Sequence, residues 1–244
     1  MSVSNETRIV EQVYRIFKVC TTGDMMKIIS FGDIHEDTHN LAKIKTALEN
    51  ADLIILSGDL TNYGRKNKAQ IVIEDVKKYN KKILAHYGNM DKADVDTYLT
   101  HEGINLHGNG YLFGDVGIFG CGCSSPTPFH TPSEISEADI EKYLVNGYKK
   151  VKDAKWKIMV CHTPPKDTST DIIRNGAHVG SSVVRDFIAQ HKPHVCITGH
   201  IHESRNKDMI GETVILNAGM FKDGWYIEVI IDNHDIAASL KSFA

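Results

Sequence analysis

Apolar residues fall in short blocks along this chain, separated by segments of helical periodicity. From Lys27 the β-rich run Lys27-Ile28-Ile29-Ser30-Phe31 stops at Gly32-Asp33. Asn40 stands where a helix cap is expected, and Leu41, Ile44 and Leu48 share one face of the helix behind it. The unit repeats in Leu53-Ile54-Ile55-Leu56, then Ser57-Gly58-Asp59, a turn around Asn62-Tyr63-Gly64 and a helix carrying Val72, Val76 and Tyr79. A third strand, Ile83-Leu84-Ala85-His86, ends in Gly88-Asn89-Met90-Asp91. Buried runs alternating with amphipathic helices predict βαβαβ and a parallel sheet with right-handed crossovers.

The second half begins differently. Tyr111 to Phe113, Gly114-Asp115 and Val116 to Phe119 read as a hairpin, so antiparallel pairing is expected there. Ile140, Tyr143, Leu144, Tyr148 and Val151 then mark a helix entered through Ser133 or Ser136. The strand Ile158-Met159-Val160 ends at Cys161-His162, and a long loop runs from Thr163 to Gly180. A helix bearing Val183, Val184, Phe187 and Ile188 follows, and Val195 to Thr198 ends at Gly199-His200. Val214 to Leu216 and Trp225 to Ile231 read as two closing strands. Near the start, Val10, Val13, Tyr14 and Phe17 follow the spacing of an amphipathic helix.

No shift in composition divides the 244 residues, and the 19 Gly and 6 Pro are too dispersed for a linker. The expectation is one domain over residues 1–244, with 1–24 as a helical appendage. Tyr14 and Phe17 would dock that appendage on the body or on a second subunit, which leaves a homo-oligomer open. Five cysteines without a C-x-x-C pair point to reduced thiols and a cytoplasmic protein. Glu6, Arg8, Glu11, Arg15 and Lys18 interrupt any signal-peptide core, and no later run approaches the ~20 residues that span a bilayer. A net charge of −3, from 28 Lys+Arg against 31 Asp+Glu, gives no general pull toward nucleic acid. Without a Walker A run or G-x-G-x-x-G, nucleotide-dependent chemistry has no support either.

The chemistry gathers where strands end. Gly32-Asp33-Ile34-His35, Gly58-Asp59, Gly88-Asn89-Met90-Asp91, Cys161-His162 and Gly199-His200-Ile201-His202 all follow apolar strands. Ligands of open α/β sheets bind beyond the carboxyl ends of the strands, so these segments can share one rim. Asp33, His35, Asp59, Asn89, His162, His200 and His202 would together offer four imidazoles, two carboxylates and one amide oxygen. That set suits Mn, Fe, Zn, Co or Ni better than Ca. Seven donors exceed one tetrahedral ion but fit two divalent cations bridged by a carboxylate. By formal charge such a site stays positive, so an anionic phosphate ester is its natural guest.

In order and spacing, these motifs resemble the calcineurin-like metallophosphoesterase superfamily, whose pattern is D-x-H, G-D, G-N-H-[DE], a later His and G-H-x-H. The match runs from residue 27 to about 231. The resemblance implies a four-layer αββα sandwich with two mixed β-sheets. It implies Asp33, His35 and His202 on one metal, Asn89, His162 and His200 on the other, and Asp59 between them, with Mn2+ the first choice of ion. It further implies hydrolysis of a small-molecule phosphate ester by metal-bound hydroxide, with Asp59, Asn89 and His162 central to catalysis.

One position departs from the pattern. Met90 stands where the family commonly has His and cannot donate a proton, so Asp91 is expected to lose its usual partner. Loss of general-acid help hurts poor leaving groups most. A phosphodiester or activated phosphomonoester therefore fits better than phosphoserine. His130 and His178 lie in long loops as substitute acids, and Asn89, His178 and Asn62 are candidate substrate contacts. Alternatives are a non-catalytic scaffold of the same fold and a nuclease or cyclic-nucleotide phosphodiesterase. His39, His101, His107, His191 and His194 have no motif and read as surface or helix-end residues; His86 reads as structural. Tyr87 reads as a packing aromatic, Cys161 as a buried thiol, and Arg65, Lys66 and Lys68 as a solvated helix start.

Overall fold

The computed structural model describes residues 25–243, so the expected N-terminal helix lies outside the described residues. The strands are β1 (Met26–Phe31), β2 (Leu53–Ser57), β3 (Ile83–His86), β4 (Asn109–Phe113), β5 (Val116–Cys121), β6 (Trp156–Cys161), β7 (Val195–Thr198), β8 (Asn206–Ile210), β9 (Thr213–Asn217), β10 (Trp225–Ile231) and β11 (Ile236–Ser242). The α-helices are α1 (Lys45–Glu49), α2 (Lys66–Lys77), α3 (Ala93–His101), α4 (Glu137–Val151) and α5 (Ser182–His191). None of the described helices is long and apolar enough to cross a membrane.

Two mixed sheets form, in the orders β11-β10-β1-β2-β3 and β4-β5-β6-β7-β9-β8. In the first, β1, β2 and β3 run parallel and β10 and β11 are antiparallel additions. All five residues of β2 are buried, as a parallel strand covered on both faces requires. The hairpin β4–β5 is antiparallel with Gly114 at φ 58°, yet β5, β6, β7 and β9 pair in parallel. The second half is thus less antiparallel than its opening hairpin suggests.

Alternation along the strands sorts the core into three seams. Ile28, Leu53, Ile55 and Leu84 meet Ile118, Ile158, Ile197 and Leu216 between the sheets. The other faces of β1 to β3 pack under α1 to α3 through Leu48, Val72, Val76 and Val95. Phe119, Met159 and Cys196 pack under α4 and α5 through Ile140, Leu144 and Phe187. The result is the four-layer αββα sandwich, with β1, β2 and β3 ending on the same side as β6 and β7.

Several local expectations need correction. Asn40 does not cap a helix; it lies inside a 3-10 turn, His39–Ile44, and its amide donates to the Lys222 carbonyl at 3.1 Å. The α2 helix stops at Lys77, before Tyr79. Of the two serines proposed to open α4, Ser136 is the cap and accepts from the Asp139 N–H at 3.1 Å. The elements α3, β8 and β11 were not anticipated. β8 and β11 are edge strands with many exposed positions, and α3 buries only Val95 and Leu99, so their patterns are weak.

The α4 helix approaches β4 so closely that a Cβ on Gly147 would lie 2.5 Å from the Asn109 carbonyl oxygen. Helix propensity favours Ala over Gly by about 1 kcal/mol. Overpacking a rigid contact costs about 1–3 kcal/mol, so packing prevails. Gly147→Ala is expected to lower the urea midpoint of unfolding; a raised midpoint would show that α4 can shift away from β4.

Candidate metal centre

The loops after β1 and β2 are bound to each other before any side chain acts. Asp33 N–H donates to Gly58 O at 3.0 Å, and Ile34 and His35 N–H groups donate to Asp59 O at 2.9 and 3.0 Å. This lacing forces sharp turns. Asp33, His35, Asp59 and His200 all adopt left-handed backbone, with φ of 49°, 49°, 48° and 69°. Non-glycine residues there store about 1–3 kcal/mol each, a cost found mainly at functional sites. Gly88 is required for a different reason, because a Cβ on it would overlap Asp59 Oδ1 and the Asp59 backbone nitrogen.

Those turns bring the seven residues together. One ligand atom from each of Asp33, His35, Asp59 and His202 lies within 4.8 Å of the others. His202 Nε2 stands 3.1 Å from Asp33 Oδ1 and 3.3 Å from His35 Nε2. On the other side, Asn89 Oδ1 lies 3.0 Å from His162 Nε2 and 2.8 Å from His200 Nδ1. Asp59 stands between the groups, with Oδ1 3.4 Å from His162 Nε2 and Oδ2 3.9 Å from His35 Nε2.

Two ring nitrogens facing each other at 3.3 Å share at most one proton, whereas a divalent cation can use both lone pairs. The donor chemistry therefore fits divalent metal ions. Supporting hydrogen bonds aim the donors. His162 Nδ1–H donates to Ser57 O at 2.8 Å, which leaves Nε2 for the site. Asn89 Nδ2 donates to Thr131 Oγ1 at 3.1 Å.

Burial opposes the charge of both aspartates, yet imidazole neighbours prevail. Asp33 is held down to about 2, chiefly by its hydrogen bond and charge contact with His202. Asp59 is likewise lowered, by His162. Burial would also strip the His162 proton, but Asp59 and Asp33 outweigh it and raise this imidazole to about 10. His200 is lowered to about 4, by burial and then by the His162 charge, so its lone pair is open near neutrality.

With Met at position 90, Asp91 has no neighbouring histidine to pair with, and other donors take that place. It is fully buried and accepts from the N–H groups of Leu60, Thr61 and Gly88 at 3.1, 2.7 and 2.8 Å, and from Thr61 Oγ1 at 2.7 Å. Backbone donors do not depend on the side chain at position 90, so the carboxylate fastens the β2 and β3 loops together. Met90 itself donates its N–H to Asp59 Oδ1 at 2.8 Å.

The remaining candidates make other contacts. Asn62 and Tyr63 are exposed, and Asn62 N–H contacts Glu36 Oε1 at 3.4 Å. His130 is exposed on the loop before Thr131. His178 pairs through Nδ1 with Asp171 Oδ1 at 2.6 Å. Tyr87 is buried, as are Cys161 and His86; His86 Nδ1 donates to Tyr87 O at 3.1 Å. His107 is not a plain surface residue: its Nδ1 accepts from Gly122 N–H at 3.0 Å, and its ring lies between Tyr87 and Tyr143. His191 packs on Tyr148 and Phe187, and His194 Nδ1 accepts from Lys157 N–H at 3.1 Å. Sequence reasoning missed Thr131, Glu134, Asp171 and Asn217. Asn217 is fully buried and ties the last loop by donating to Ile201 O at 2.9 Å while accepting from Gly219 N–H at 2.8 Å. Nothing in their sequence context distinguishes these from ordinary loop polar residues.

The chain is similar to known proteins. A family model described as calcineurin-like phosphoesterase matches residues 26–204. An uncharacterized protein of Methanocaldococcus jannaschii, MJ1162, is 31% identical over 200 residues, covering 79% of this chain and 87% of its own. TT1561 of Thermus thermophilus shares the fold with a TM-score of 0.68 at 17% identity, over 91% of this chain and all of its own (100%). Purple acid phosphatase PPD1 of yellow lupin superposes with a TM-score of 0.58 at 12% identity, covering 91% of this chain and 52% of its own.

A cation taking the His162 lone pair must displace the proton that Asp59 and Asp33 hold there. Metal uptake near neutral pH is therefore expected to release a proton, and affinity is expected to climb as pH rises toward about 10. Calorimetric titration in buffers of different ionisation enthalpy measures this. Uptake without proton release would show that His162 is already neutral.

Proposed function

Because the chain belongs to the calcineurin-like phosphoesterase family, we propose that it is a dinuclear-metal hydrolase of a phosphodiester or an activated phosphomonoester, with Mn2+ as the working ion. The observation that carries this reading is the convergence of seven donors about Asp59, in two groups of different composition. Asp33, His35 and His202 would hold one ion, Asn89, His162 and His200 the other, and Asp59 both. When bound, such ions supply Lewis acidity toward phosphoryl oxygens and make water a stronger acid.

The chain's own residues do the rest. Ser57 keeps His162 in the tautomer that presents Nε2, and the backbone of Met90 holds one oxygen of Asp59. Leaving-group protonation falls to another residue, since the Met90 side chain carries no proton to give. We assign it to His178. Asp171, fully buried, holds the Nδ1 proton of His178, so exchange with a substrate uses Nε2. That loop is joined to the His202 loop: Ser204 Oγ donates to Ile172 O, and the Asn217 amide contacts Thr170 O at 3.3 Å and Ile201 O at 2.9 Å. Asn62, exposed beyond Asp59, would line the entrance. Four buried cysteines, free of disulfides among the described residues, support a reducing cytoplasmic setting.

Chelator-stripped protein supplied with Mn2+ should hydrolyse bis(p-nitrophenyl) phosphate faster than p-nitrophenyl phosphate. Asp59→Asn should lower turnover of both by about 10³-fold or more, as expected when an essential group is lost. Turnover that persists without metal or in Asp59→Asn would contradict the reading.

General-acid catalysis contributes about 10²–10⁴-fold. His178→Ala should therefore depress kcat/KM for phenyl phosphate far more than for p-nitrophenyl phosphate, and Met90→His should restore much of that loss. Equal effects on the two esters would remove His178 from proton transfer.

A further inference from the structure

Asn89 can face the site in two chemically different ways. Its amide oxygen has lone pairs for a cation, whereas its amide nitrogen has only protons to offer. In the structure Oδ1 faces His162 and His200 while Nδ2 donates to Thr131 Oγ1. A hydroxyl could accept from the nitrogen or donate to the oxygen, so Thr131 by itself decides nothing.

The decision comes from one residue further out. Thr131 Oγ1 donates its single proton to Glu134 Oε1 at 2.7 Å. The same oxygen also accepts from Thr131 N–H and from Thr127 Oγ1, both at 2.7 Å. An ionised carboxylate only accepts, so the Thr131 proton must point at it, and lone pairs alone remain for Asn89. Burial works against the Glu134 charge, but the threonine donors prevail and hold the carboxyl down to about 2. The loop is fixed independently on its other side. Ser133 N–H donates to Asn89 O at 3.0 Å and Ser133 Oγ to Asp91 O at 2.5 Å.

We infer that Glu134 and Thr131 form a directional hydrogen-bond relay whose function is to orient the Asn89 amide with its oxygen toward the second cation. Both are positioning residues that act through Asn89. The inference rests on the dinuclear reading of the site.

The test uses metal-free full-length protein titrated with Co2+, followed by visible absorbance and calorimetry. Wild type should show two binding steps. Thr131→Val, which keeps the shape and removes the hydroxyl, should weaken one step by about 10–100-fold and leave the other unchanged. Thr131→Ser should bind as wild type. Glu134→Gln leaves Thr131 in place but offers it an amide that can donate, and should weaken the same step; it carries the test if Thr131→Val does not fold. Two unchanged steps in Thr131→Val or Glu134→Gln would overturn the relay, as would equal weakening of both steps. A wild-type protein that takes up fewer than two ions would overturn the dinuclear reading itself.

Discussion

Two aspartates, Asp33 and Asp59, are buried side by side where β1 and β2 end, and the upper part of the molecule is arranged around their charges. Taking an ionised carboxylate out of water costs several kcal/mol even after relaxation, and two neighbouring carboxylates also repel each other. Hydrophobic packing cannot offset this. The neighbours are instead four imidazoles, one amide oxygen and backbone N–H groups from Met90 and His200. In the metal-free protein a proton on His162 supplies part of the missing positive charge. In the proposed dinuclear site cations would supply it more completely.

The scaffold makes so costly a cluster possible. Parallel strands from both sheets end on one side, so their loops meet although residues 33 and 202 are far apart in sequence. Main-chain lacing between the β1 and β2 loops, Asp91 beneath β2 and β3, and Asn217 beneath the final loop fix the approach of each segment. The left-handed turns at Asp33, His35, Asp59 and His200 show where backbone strain accompanies that convergence. The core seams below hold the strands that bear this strain.

The candidate ligands stand out in the sequence because each sits in a short signature behind an apolar strand, and strand ends are the easiest feature of an α/β chain to locate. The four-layer sandwich was legible through the resemblance those signatures carry. Residues that aim the ligands were not. Ser57 acts through its carbonyl, which any residue has, while Thr131, Glu134 and Asn217 are common loop residues whose roles depend on distant contacts. Edge strands β8 and β11 escaped because half-exposed edges lack strong alternation, and Asn40 misled because a good capping residue also makes a good buried amide. The donors that Asp91 has in place of a histidine are mostly backbone groups, which no motif records.

In the proposed function, Asp59 joins two cation positions of different composition. Anomalous diffraction from Mn2+-soaked crystals, recorded at the manganese edge, tests it most directly. Two peaks flanking Asp59 are expected, one ringed by Asp33, His35 and His202 and the other by Asn89, His162 and His200. A single peak, or two peaks that do not share Asp59, would contradict it.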